Sequence, residues 1–95
     1  MTQRSDTLCT AGDLLAAGRD PLVHALRDFV LHVLCRSYVD VGWFSISYTP
    51  ALVTAEVVFT GPPPHECVMC YLWQKDDNTW AVYQFNRYYK ERHLF

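Results

Sequence analysis

The hydrophobic pattern changes period at Asp40, and that change limits the chain to a helix followed by a sheet. Before it, Leu22, Leu26, Phe29, Val30, Val33, Leu34 and Tyr38 recur at three- and four-residue steps, one apolar stripe along a helix. After it, apolar and polar residues alternate with period two, as strands with two different faces require. Asp20-Pro21 marks the helix start. An aspartate there accepts a hydrogen bond from a free backbone N–H, and proline at the first helical position loses no donor the helix needs. The spacing predicts a helix of about 17 residues from Pro21.

Four strands follow in the reading. Residues 42–49 place Phe44, Ile46 and Tyr48 on one face and Trp43, Ser45 and Ser47 on the other. After a turn at Thr49-Pro50-Ala51, residues 52–60 set Val53, Ala55, Val57 and Phe59 against Leu52, Thr54, Glu56 and Val58. Gly61-Pro62-Pro63-Pro64 cannot supply ladder hydrogen bonds and leaves the sheet. Residues 66–74 form the third strand, Lys75-Asp76-Asp77-Asn78 a hairpin loop, and residues 80–85 the fourth strand. The last segment, 86–95, reads as a helical turn or a basic arm.

The expected fold is therefore α+β. One main N-terminal helix, with a short helical turn allowed before it at 11–17, packs on a four-stranded antiparallel meander. Residues 1–10 are polar and without periodicity and read as a flexible arm, leaving 11–95 as a single domain. A chain of 95 residues holds one compact unit, burying roughly 60–65% of the surface its unfolded form exposes. The order of elements is similar to small helix-on-sheet shapes of the cystatin-like or dynein-light-chain-like kind, a likeness of architecture with no sequence motif behind it.

Twelve of the fourteen aromatic residues lie after Tyr38, and this asymmetry carries the functional expectation. One helix covers one face of a sheet, yet the third and fourth strands are apolar on both. No Lys or Arg lies between Arg36 and Lys75 to keep edges apart. Three arrangements absorb the surplus: the chain's own ends fold over the second face, a second copy or another protein covers it, or a curved sheet encloses a pocket lined by Tyr48, Phe59, Tyr83 and Phe85. Large exposed apolar patches mark interaction sites, and Trp, Tyr and Met are the residue types expected there. The expected function is thus a non-enzymatic protein-interaction module, an adaptor, regulator or inhibitor such as a virus encodes, self-associating as a homodimer. Its contacts fall on Trp43, Met69, Tyr71, Trp73 and Trp80. The pocket makes it a small-ligand binder or vestigial enzyme instead.

Other chemistries are weaker. Eight basic and ten acidic side chains give −2, no footprint for a duplex or an anionic membrane. Arg87, Tyr88, Tyr89, Lys90 and Arg92 interleave cations with rings, a mixture that stacks on single-stranded bases or docks on a partner. His65, Cys67 and Cys70 suggest a metal, but an odd spacing in a strand sends the two sulfurs to opposite faces, and no second ligand pair completes a site. On the helix, His24, Asp28 and His32 share one stripe with Cys35, which reads as the solvated face. No nucleophile elbow or phosphate loop occurs, so neither a catalytic activity nor a cofactor is expected. Without an apolar leader or a membrane-length run, the four cysteines are expected reduced and the protein cytoplasmic.

Overall fold

A computed structural model describes residues 5–10 and 20–91. Five strands form one antiparallel sheet in sequence order: β1 (Ser5–Thr10), β2 (Val41–Tyr48), β3 (Val53–Phe59), β4 (His65–Asp76) and β5 (Thr79–Lys90). Helix α1 (Pro21–Asp28) packs over β5, at the opposite edge from β1. The class is α+β. The four meander strands are β2 to β5, and the segment expected as an arm adds a fifth. Ser5 to Thr10 pairs with Tyr48 to Trp43. Its apolar content is low, so backbone pairing along an open edge, which leaves no hydropathy signal, is what recruits it. The helical turn expected at 11–17 lies outside the described residues.

Helix α1 starts where Asp20 directs. Its Oδ1 accepts from Leu22 N at 3.0 Å and Val23 N at 3.3 Å. The helix does not run straight for the expected length. After eight α-helical residues it widens into a π turn over Phe29–Val33. Leu34 N bonds Phe29 O and Arg36 N bonds Val30 O, each at 3.0 Å, while Cys35 turns to φ 56° and ends the helix. The extra residue rotates the stripe. Leu22, Leu26, Phe29 and Val30 stay buried, Leu34 is half-buried, and Val33 turns 58% outward. Tyr38 falls in a separate 3-10 turn, Tyr38–Asp40.

The core lies between this helix and one sheet face. Phe44, Ile46, Ala55, Val57, Phe59, Val68, Cys70 and Leu72 meet Leu22, Leu26, Phe29 and Val30 there. Each such large side chain contributes roughly 1.5–3 kcal/mol by leaving water. Arg36 closes the lower end, its guanidinium 4.1 Å above the Phe59 ring and bonded to Glu66. Register shifts set the sheet's shape, one of them between Gln74 and Asp76 beside the β4–β5 turn. Gly42 sits at the register shift between Val41 and Trp43, where an added Cβ would lie 3.3 Å from Val58 O. Tyr83 has no partner between the Tyr71–Gln84 and Leu72–Val82 pairs, a bulge in β5. Strand β5 also continues to Lys90, so the expected terminal helical turn or free arm is sheet as far as that residue.

Candidate interaction surface

The sheet face turned away from α1 is graded from end to end, and register shows how. Trp43, Val58, Cys67 and Tyr88 form one cross-strand row, Ser45, Glu56, Met69 and Asn86 the next, and Ser47, Thr54, Tyr71 and Gln84 a third. The last row holds Trp73 and Ala81, with Leu52 one position beyond the Val53–Leu72 pair. In the first row Val58 and Cys67 are fully buried, and Trp43 and Tyr88 half-buried. Beside it Lys90 Nζ lies 2.7 Å from Glu56 Oε2 and 5.8 Å from the Tyr88 ring centroid. An aliphatic lysine stem and a neutralised charge over apolar ground are a common way to cover such a row. Val58 and Cys67 are therefore hidden within the chain, while Trp43 and Tyr88 keep part of their surface in water.

The far end is different. Met69 and Tyr71 are half-buried and Trp73 is 51% exposed, three alternate side chains on one strand. The bulge turns Tyr83, 54% exposed, onto the same face, its ring centroid 6.5 Å from that of Tyr71. Leu52 stands exposed beside them. Thr49 fixes the turn that presents it, donating from N and Oγ1 to Leu52 O at 3.0 and 2.9 Å. Of the five residues expected at an interface, Met69, Tyr71 and Trp73 come together. Trp43 belongs to the covered row, and Trp80 turns to the other face, where it packs against the core. Leu52, which alternation already sets on this face, and Tyr83, expected to line a pocket, join Met69, Tyr71 and Trp73. Strict alternation groups Tyr83 with Phe85, but the bulge separates them, and Phe85 instead meets Phe29 edge-on at 5.0 Å. No sequence signal announces a one-residue bulge.

The same separation undoes the expected pocket. Tyr83 lies on one side of the sheet, Phe59 is buried on the other beneath Arg36, and Tyr48 is exposed at the end of β2. The basic segment is likewise divided. Arg87 pairs with Glu66 at 3.3 Å on the helix side, Lys90 pairs with Glu56 on the opposite side, and Arg92 lies outside the described residues. Tyr88 and Tyr89 point to opposite faces as neighbours in a strand must. A contiguous cationic surface does not result from Arg87 and Lys90.

Cys67 and Cys70 point to opposite faces, Cys70 in the core and Cys67 in the covered row with His65 on its side of the sheet. Among the described residues no three His, Cys, Asp or Glu side chains are grouped to hold a metal ion. Burial pushes the Cys70 thiol up to about 12. Burial also raises Cys67, the Glu56 carboxylate adds to it, and Lys90 partly offsets both. Both are therefore weak nucleophiles at neutral pH. Of the helix stripe, Asp28 and His32 are exposed and His24 Nδ1 lies 2.7 Å from Arg27 Nη2.

No described helix is long and apolar enough to cross a membrane. Compared with known proteins, the chain matches no family model, no curated protein and no solved structure.

Proposed function

We propose that this protein is a non-enzymatic protein-interaction module that associates with itself, an adaptor, regulator or inhibitor whose contact surface is the aromatic end of the open sheet face. The exposure of Trp73 and Tyr83 on one sheet face, with Tyr83 beside the Tyr71 ring and Leu52 next to Trp73 across the strands, carries the reading. Large rings held rigidly by strands lose little conformational entropy on docking and bury much apolar area, so such clusters are where binding energy concentrates. Ser47, Thr54 and Gln84 flank the cluster and supply a polar rim. Two buried thiols held in their neutral form favour a structural use of the cysteines. Three free thiols among the described residues suit a reducing intracellular compartment.

Light scattering at two concentrations, on the parent chain and on Trp73→Ser, tests this. Association that rises with concentration and is lost in the variant, with circular dichroism unchanged, is the expected result. A parent chain that stays monomeric at both concentrations and retains no protein from its native cell overturns it.

A further inference from the structure

A second surface lies on the other side of the sheet, where the outer flank of α1 and strand β5 enclose an open groove. One stretch of about 360 Å³ is lined by Asp28, Phe29, Val33 and Val82, and an adjoining one of about 330 Å³ by His24 and Thr79. Ala25, Asp28 and Trp80 belong to both, so the two are continuous. Four consecutive β5 residues, 79–82, line this groove. Neighbouring side chains of a strand point to opposite faces, so four in a row line one groove only where the strand's backbone edge opens into it. Strand β5 ends the sheet, and no backbone hydrogen bond reaches its outer edge among the described residues. On the helix wall Ala25 leaves room for a chain. The exposed Asp28 carboxylate forms no ion pair among the described residues.

We propose that this groove is a strand-addition site for an extended peptide from another protein. The peptide pairs its backbone with residues 79–82, sets an apolar side chain against Phe29, Val33 and Val82, and lays a lysine or arginine on Asp28. Main-chain pairing supplies affinity in this mode of recognition, and the pockets for alternate side chains supply selectivity. The Tyr83 bulge ends the regular edge, which limits the paired segment to a few residues. A second copy of the chain fits this edge poorly. Joined strands lie about 4.8 Å apart, whereas packed helices need 8–10 Å between axes, and α1 sits over β5 itself. The inference rests on the protein-binding reading but uses a different surface.

Selection of phage-displayed random dodecapeptides on the full chain, followed by binding titrations and amide exchange, tests it. Enriched peptides alternate apolar residues with one Lys or Arg, protect the amides of 79–82, and bind Asp28→Lys about tenfold or more weakly. They bind Trp73→Ser as well as the parent. Failure to enrich any peptide, protection elsewhere, or indifference to Asp28→Lys overturns the groove assignment, and so does a parent self-association that Asp28→Lys abolishes, which gives the groove to a second copy. If peptides bind as stated while Trp73→Ser self-associates like the parent, the aromatic surface fails and the groove stands.

Discussion

Arg36 Nη1 lies 2.8 Å from Glu66 Oε1, joining the end of the helix to the start of β4 across thirty residues of chain. The same guanidinium covers Phe59, and Arg87 holds the other Glu66 oxygen at 3.3 Å. All three charged side chains keep some contact with water, so the pairs themselves contribute little. The ring contact and the packing of the arginine stem add to them. Arg36→Ala is expected to lower unfolding stability by about 1–2 kcal/mol, and Arg36→Lys to recover only part of it, because an ammonium cannot stack flat on Phe59. Urea unfolding of the three proteins measures both.

Asp20 caps two backbone donors of α1. Asp20→Ala is expected to cost about 1 kcal/mol and Asp20→Asn only a fraction of that, since an amide oxygen still accepts the bonds. Thermal unfolding midpoints at fixed pH give the comparison.

The two tryptophans of the hairpin β4–β5 differ in burden. Trp80 packs against the core and Trp73 projects into solvent. Trp80→Ala is expected to destabilise by about 2–3 kcal/mol, and Trp73→Ala to stay within about 0.5 kcal/mol. Denaturant midpoints separate them. A large loss at Trp73 would show that it supports the fold and is unavailable for contact.

Cys70 is kept protonated by burial, its pKa pushed from 9.0 to about 12. In the unfolded chain the thiol ionises near its ordinary value, so between those limits the unfolded state binds fewer protons than the folded one. Stability is therefore unaffected by this group below pH 9 and falls as pH rises from 9 towards 12, by at most about 1.4 kcal/mol per pH unit. Burial shifts Cys67 in the same direction. The stability difference between the parent chain and Cys70→Val, compared at pH about 8 and about 10.5, should move in favour of the variant at the higher pH.

Local chemistry determined a good deal of this protein. Asp20-Pro21 set the helix start because capping acts within three residues, and the 42–60 alternation fixed which of Phe44, Ile46, Ala55, Val57 and Phe59 face the helix because side chains in a strand alternate whatever lies around them. The odd Cys67–Cys70 spacing separated the two sulfurs for the same reason. Where pairing partners decide, the pattern went silent. Strand β1 forms from hydrogen bonds that any polar sequence can make, and the π turn at Phe29–Val33 and the bulge at Tyr83 each insert one residue that no propensity marks. Those single-residue offsets turned Val33 outward and moved Tyr83 beside Tyr71. Tertiary packing alone thus chose which aromatic side chains meet water, because a face is set by the parity of the pairing, and one unpaired residue reverses it.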